Sequence, residues 1–142
     1  MKLRSYKPTD LEPLLALWWE SWHSSASFRH PKPLSDWRSR WEGILEDHDV
    51  VVAEADGELL GFAALDVPNA ALSQIFVAPH AKRRGIGRAL FHWAVTRCPK
   101  GLTLKTLVEN SESRAFYRCL GMAEGNRGVN AFNGREEIEY AL

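Results

Sequence analysis

The stretch "VAPHAKRRGIGRAL", from Val77 to Leu90, decides the fold. An apolar run typical of a β-strand precedes it, and an apolar helical pattern follows it. Two glycines, Gly85 and Gly87, lie among four cations: Lys82, Arg83, Arg84 and Arg88. Free N–H groups at the start of a helix bind anions, and glycine lets the backbone approach the ligand. The stretch predicts a strand–loop–helix unit that binds a phosphate or pyrophosphate; the alternative is an exposed cation patch over a glycine-rich turn.

Two widespread phosphate loops do not match this stretch. A Walker loop ends in Gly-Lys-Ser/Thr, whereas Arg88 and Ala89 follow Gly87 here. A dinucleotide-binding loop has a small residue three positions after its second glycine, where this chain has Leu90. The predicted anion site therefore belongs to another kind of phosphate loop.

The composition of the chain limits the classes of protein to consider. Its 18 basic and 18 acidic side chains give a formal net charge of zero over 142 residues. A general nucleic-acid-binding protein would be basic, so the cation cluster predicts a local partner and no nucleic acid. The sequence has neither an apolar N-terminal segment nor a membrane-length apolar run, which predicts a cytoplasmic protein with no membrane partner. Cys98 and Cys119 are predicted to be buried, free thiols; the alternative is a single disulfide between them.

The order of predicted elements is β-αα-βββ-α-β-α-ββ. A capped helical pattern near the N-terminus is followed by a second helix with tryptophans four residues apart. The dipeptides Asp56-Gly57 and Asn133-Gly134 predict hairpin turns, and Gly61 predicts a bulge or close packing within a strand. The sequence contains no repeat and no linker, so this order predicts a single α/β domain over residues 1–142.

A second stretch, "ENSESRAFYRCLGM" from Glu109 to Met122, completes a pair of motifs. Together they resemble the GNAT superfamily, the acetyl-CoA-dependent N-acetyltransferases. That family's glycine loop reads Gln/Arg-x-x-Gly-x-Gly/Ala, with Lys82 here at the first position. Its second motif, Asn-x-x-Ala/Ser-x-x-Phe-Tyr-x-x-x-Gly-Phe, is matched except at Met122 by Asn110, Ser113, Phe116, Tyr117 and Gly121. The resemblance runs from Leu3 to the end, although the first 48 residues match only in their order of elements.

The resemblance implies a GNAT-like mixed, twisted sheet of about six to seven strands with about four helices, in which strands four and five splay apart. It also implies acetyl-CoA as co-substrate, without a metal. The pantetheine arm would lie in the gap between the splayed strands, along the backbone of Ile75, Phe76 and Val77. The pyrophosphate would lie at the loop formed by Lys82, Arg83, Arg84, Gly85, Ile86, Gly87 and Arg88. On the other side, the cofactor would be flanked by Asn110, Ser113, Phe116 and Tyr117.

The reaction that the resemblance implies is direct attack of an amine on the acetyl thioester. Tyr117 occupies the family's usual general-acid position and would protonate the departing thiolate; the alternative is a packed aromatic ring. A strand N–H near Phe76 or Val77 would stabilise the charge that develops on the carbonyl oxygen. The Glu that some members use as a base would fall near Ala71, and no carboxylate lies between Val67 and Val77.

The sequence leaves the general base and the acceptor open. Glu20, His23 and Asp66 are candidates for a base that acts through water. Trp22, His23 and Asp66 are the candidate acceptor-site residues, and the loop 22–33 is expected to rim that site. Without a strong base, an α-amine with a pKa of about 7.8 is an easier acceptor than a lysine amine with a pKa of about 10.4. The expected partner is an amine of a small molecule or a peptide, for a monomer or a homodimer.

The sequence is also consistent with two functions other than catalysis. A non-catalytic acyl-CoA sensor would use the same pocket, although the intact Asn110 and Tyr117 favour catalysis. An interaction subunit would pair through the tryptophan-rich first two helices, although helical spacing favours a packing role for those rings. The five histidines show no ligand spacing, which predicts that the protein has no metal site.

Overall fold

The computed structural model describes residues 1–25 and 32–142, except for the side chain of Ser25. This part of the chain forms seven strands and four α-helices. The strands are β1 (Lys2–Ser5), β2 (Asp49–Ala55), β3 (Glu58–Asp66), β4 (Ala71–Val77), β5 (Thr103–Leu107), β6 (Ala123–Val129) and β7 (Glu136–Ala141). The helices are α1 (Leu11–Ser25), α2 (Arg38–Asp47), α3 (Ile86–Arg97) and α4 (Ser111–Cys119). The strands form one mixed sheet in the order β1-β2-β3-β4-β5-β7-β6, which confirms the predicted α/β fold.

Both hairpin turns lie where the sequence predicts them. Asp56 and Gly57 have φ angles of 52° and 77°, and they join β2 to β3 in an antiparallel pair. The pair β6–β7 is also antiparallel, and Gly134 in its connection has a φ angle of 69°. Residues that tolerate positive φ therefore determine both turns.

Gly61 allows α3 to pack closely against the sheet. A Cβ atom at this position would lie 2.9 Å from the Phe76 carbonyl oxygen and 3.2 Å from Ile86 Cγ2. The β2–β3 register also shifts beside Gly61, so the predicted bulge and the predicted close packing both occur. The next residue, Phe62, points to the opposite face of β3 and meets the Trp41 ring of α2. The helices α2 and α3 therefore cover opposite faces of the sheet.

The strands β4 and β5 splay apart, as the family resemblance implies. They are parallel and pair at one position only, Ala71 with Thr103, where the Thr103 N–H donates to the Ala70 carbonyl at 2.9 Å. On the other side of β4, Ala64 pairs with Gln74 and Leu65 pairs with Leu72. Ser73 is therefore the extra residue of a β-bulge, which bends β4 just beyond its contact with β5.

One packing prediction fails, for a cysteine. Cys98 is buried, but Cys119 is exposed, so the prediction of two buried thiols is wrong for Cys119. The reason is helical geometry, because Tyr117 points into the core and a residue two positions later lies on the other side of α4. Within the ranges that the structure describes, no helix is long and apolar enough to cross a membrane.

Candidate active site

A cavity of about 180 Å³ opens where β4 and β5 diverge. One wall is the edge of β4 from Leu72 to Phe76, and the facing wall is β5 from Leu104 to Leu107. The start of α4 and the β6–β7 connection close one end, and four indole rings cover the cavity, from Trp18, Trp22, Trp37 and Trp41. The bulge thus bends β4 away from β5, and the tryptophan rings of α1, of α2 and of the turn before α2 cover the resulting gap.

The register of β4 decides which backbone groups face this gap. The Ala78 N–H donates to the Leu60 carbonyl at 2.8 Å, and these two residues lie directly opposite each other in the β3–β4 register. Hydrogen-bonded pairs alternate along an antiparallel ladder, so Phe76 bonds towards β3 while Ile75 and Val77 turn their backbone towards β5. Two residues are predicted to supply the oxyanion N–H. The backbone of Val77 faces the gap, whereas Phe76 bonds towards β3 and is one of the residues that line the cavity.

The glycine loop presents a series of free backbone donors. Arg83 and Gly85 adopt φ angles of 65° and 82°, and the first backbone hydrogen bond of α3 runs from the Ala89 N–H to the Gly85 carbonyl at 3.0 Å. Within the described residues, the N–H groups of residues 83–88 donate to no protein acceptor. Such a row of N–H groups at a helix start suits an anion.

Within the described residues, one of the four cations of the loop is ion-paired and three are not. Lys82 forms an ion pair with Glu112 at 3.0 Å, which ties the loop to the first turn of α4. In the described part of the chain, the exposed guanidinium groups of Arg83, Arg84 and Arg88 form no ion pair. The loop therefore carries a local positive field beside its free N–H groups.

The second motif supplies the other side of the gap. The Asn110 side chain caps α4, because its Oδ1 accepts from the Ser113 N–H at 3.1 Å. Phe116 packs against Gly87, where a Cβ would lie 3.2 Å from the ring. Asn110, Ser113 and Tyr117 line the cavity, so the helix that follows β5 brings the motif to the gap.

Tyr117 is a buried phenol at the cavity wall. Only 6% of it is exposed, and its ring packs between Phe116 and Tyr140. Burial, with a smaller contribution from Tyr140, raises the pKa of Tyr117 well above its ordinary value. Its hydroxyl makes no hydrogen bond to any residue that the structure describes. The phenol therefore keeps its proton at neutral pH and can donate it to a group in the cavity.

The three residues named for the acceptor site are not brought together. Trp22 lines the cavity. The His23 Nδ1–H donates to the Trp19 carbonyl at 2.8 Å, and Asp66 accepts from the Asn69 side chain at 2.8 Å beyond the cavity wall. Glu20 is exposed on α1 and also lies outside the lining. Residues 26–31 of the loop 22–33 lie outside the described residues.

The sequence analysis did not identify a serine–histidine pair, Ser73 and His48, of which Ser73 lines the cavity. The His48 Nδ1–H donates to the Ile44 carbonyl at 2.8 Å, so in the neutral ring Nε2 accepts from the Ser73 hydroxyl at 3.0 Å. Ser73 lines the cavity at the β4 bulge. Its only sequence signal is its place two residues after Ala71, because the pairing with His48 spans 25 positions.

Metal ligands do not cluster in the described ranges. No group of three His, Cys, Asp or Glu side chains there could hold a metal ion.

The comparisons with known proteins agree with this geometry. Residues 11–122 match the model of the Acetyltransferase (GNAT) family. The peptidyl-lysine N-acetyltransferase YiaC of Escherichia coli (strain K12) is 33% identical over 124 residues, which cover 84% of this chain and 81% of that protein.

Two solved structures share the fold. Apo-form YjaB from Escherichia coli has a TM-score of 0.83 at 21% identity, covering 99% of this chain and 95% of that chain. The PaiA N-acetyltransferase of Thermoplasma acidophilum, solved in complex with coenzyme A, has a TM-score of 0.78 at 21% identity, with 98% of each chain covered.

Proposed function

Because this chain belongs to the GNAT acetyltransferase family, we propose that it transfers the acetyl group of acetyl-CoA to a primary amine of a small molecule or a peptide. The observation that carries the proposal is the gap between β4 and β5. The gap follows β4 towards the glycine loop, and the cavity at its base is lined by Tyr117 and the tryptophans. A long thioester held along β4 would thus have its phosphates at the loop and its acyl group in the cavity.

We propose that the backbone holds the co-substrate. The free N–H groups of residues 83–88 would bind the pyrophosphate, with the exposed arginines adding positive charge. Ile75 and Val77 would bond to the amides of the pantetheine arm as an added strand would, since their backbone faces the gap. The Val77 carbonyl already accepts from the Ser21 hydroxyl at 3.1 Å, so its N–H is the group left for the substrate.

Tyr117 would act as the general acid. The amine nitrogen forms a bond to the acetyl carbonyl carbon, the bond from that carbon to sulfur breaks, and the sulfur takes the phenol proton. The raised pKa keeps Tyr117 protonated at neutral pH but also makes it a weaker acid than a free phenol. Proton transfer to a thiolate whose thiol has a pKa of about 8.5 would therefore depend on the geometry and local field of the site. The amine must lose one proton in the same reaction.

The His48–Ser73 pair would take that proton. Ser73 would accept it from the amine while passing its own proton to His48 Nε2, whose orientation is fixed by the bond from Nδ1–H to Ile44. Imidazole is the side chain used most often as a general base in catalysis. The pair supplies a base in a strand segment where the sequence has no carboxylate.

We expect His48→Ala and Ser73→Ala each to lower kcat about tenfold with unchanged affinity for coenzyme A. Because the two groups act as one relay, the double variant should lose little more than either single variant. The rate of thiol release at saturating acetyl-CoA gives kcat for each variant. The matched control is His92→Ala, which replaces an exposed histidine of α3. Additive losses, or an unchanged kcat in both single variants, would exclude the relay.

A thiol-release screen tests the function as a whole. The purified protein is mixed with acetyl-CoA and amino acids, polyamines, aminoglycosides, or peptides that offer a lysine or an α-amine. We expect amine-dependent release of coenzyme A, and calorimetry should show that coenzyme A binds. Binding without release from any amine would favour the acyl-CoA sensor, and no binding at all would reject both functions.

A further inference from the structure

Arg40 is a half-buried cation at the cavity that has no anionic partner among the described residues. Its guanidinium carbon lies 3.4 Å from the centre of the Phe132 ring and 5.7 Å from that of Trp37, and the side chain lines the cavity. Burial lowers its pKa. No carboxylate of the described residues pairs with Arg40, and residues 26–31 contain no Asp or Glu. The aromatic faces attract the positive charge of Arg40, but they accept none of the hydrogen bonds that its guanidinium N–H groups can donate.

Other partly buried arginines of this chain do have carboxylate partners. Arg4 bonds to Asp10 and Glu54 at 2.8 and 2.7 Å, and Arg114 bonds to Glu124 at 3.1 Å. Buried charges in proteins are paired because removing them from water is costly. Arg40 departs from this rule, and it lines the cavity.

The neighbouring residue provides a second unused donor. Trp41 is 1% exposed and lines the cavity, and its indole Nε1–H has no acceptor among the described residues. An indole N–H can only donate, so an oxygen in the cavity is the partner that would satisfy it. A guanidinium fork and an indole N–H on consecutive residues of α2 thus both require an acceptor that the described residues do not supply.

The β5–β7 side of the same cavity carries the opposite charge. Glu137 accepts from the Asn130 side chain at 3.1 Å, Glu109 pairs with Arg135 at 3.3 Å, and both glutamates line the cavity. The remaining cation of the lining, Lys105, is exposed to solvent. The cavity is therefore basic at α2 and acidic near β7 through Glu137, because Arg135 offsets the charge of Glu109. This arrangement suits a ligand with charges of both signs.

The size of the cavity restricts that ligand. Its volume of about 180 Å³ is similar to that of an engineered apolar cavity, about 150 Å³, that accommodates benzene. Four indole rings offer apolar surface to a side chain of that size. A polyamine or an aminoglycoside would bring only positive charge to Arg40.

From these contacts we infer that the acceptor is an amine that also bears a carboxylate, as a free amino acid does, with the carboxylate bound by Arg40 and the Trp41 indole N–H. The inference rests on the proposed acetyl transfer and narrows its acceptor class. The amine end of such a molecule would lie towards the acidic side of the cavity and the acetyl group. Arginine binds a carboxylate through two parallel hydrogen bonds, which gives selectivity as well as affinity.

The test uses the twenty standard amino acids, each compared with its primary amide as acceptor. For at least one amino acid we expect the acid to have a kcat/KM at least about tenfold above that of its amide. The carboxylate keeps the neighbouring amine protonated, so amine reactivity alone would favour the amide. The ratio should fall to one or below in Arg40→Met, where amine reactivity alone remains, and recover in part in Arg40→Lys. Arg38→Met is the matched control, because Arg38 pairs with Glu12 at the surface and should leave the ratio unchanged.

A binding measurement separates this inference from the proposed function. Quenching of tryptophan fluorescence reports binding of each acid and each amide in the presence of coenzyme A. Acids that bind in an Arg40-dependent way without any thiol release would support the carboxylate site and reject acetyl transfer. Thiol release with equal kcat/KM for acids and amides would support acetyl transfer and reject the carboxylate site. Circular dichroism of each variant shows that the fold is retained.

Discussion

Replacement of Tyr117 by phenylalanine is expected to lower kcat about 100-fold while the affinity for acetyl-CoA changes less than about twofold. The ring lies between Phe116 and Tyr140 and would pack in the same way without its oxygen. Its hydroxyl has no partner among the described residues, so its removal leaves no donor or acceptor unsatisfied there. The variant therefore removes the proposed proton donor and little else.

Thiol release at saturating acetyl-CoA gives kcat, and calorimetry with coenzyme A gives the affinity. Tyr6→Phe is the control, because Tyr6 is a half-buried tyrosine beyond the end of β1, at the opposite edge of the sheet from β6. An unchanged kcat in Tyr117→Phe would remove Tyr117 from the mechanism. A large loss of affinity would instead assign it a binding role.

The raised pKa of Tyr117 also sets the expected pH profile. A group whose pKa is raised keeps its proton to higher pH, so Tyr117 stays a donor at least up to its ordinary pKa of about 10. We therefore expect kcat/KM to rise as the acceptor amine loses its proton, with no alkaline fall below pH 9 from the phenol. A fall there that disappears in Tyr117→Phe would contradict this.

Replacement of Gly87 by valine is expected to weaken coenzyme A binding about 100-fold, the loss of two charge-assisted hydrogen bonds. A Cβ at position 87 lies 3.2 Å from Phe116 Cζ and 3.7 Å from Val77 Cγ2, so a branched side chain has no room between α4 and β4. Either the ring or the first turn of α3 must move. Both changes disturb the row of N–H groups that the pyrophosphate would use.

Gly43→Val is the matched control, since Gly43 lies in α2 with nothing within 4 Å of its Cβ position. Both variants replace a helical glycine by the same β-branched residue, so they share a similar change in helix propensity. Calorimetry with coenzyme A compares them with the parent protein at a temperature where circular dichroism shows all three folded. Parent-like affinity in Gly87→Val would mean that the pyrophosphate is bound elsewhere.

Local sequence signals determined much of this fold. The turns at Asp56-Gly57 and around Gly134 depend on residues that accept positive φ, and the Asn110 cap depends on a bond to a residue three positions away. Each signal lies within a few residues of the structure it produces. For the same reason the two motifs locate the glycine loop and Tyr117 without any knowledge of tertiary contacts.

The tertiary structure alone decided what surrounds the gap. The His48–Ser73 bond spans 25 positions, and the stacking of Arg40 on Phe132 joins α2 to the β6–β7 connection. The β4 register, which turns Val77 rather than Phe76 towards the gap, depends on pairing with β3. Side chains that are far apart in sequence meet only when the sheet and the helices pack, and one sequence contains no periodic signal for such meetings. The sequence therefore predicted acetyl transfer, and packing brought together the residues on which the proposed proton acceptor and the proposed acceptor class depend.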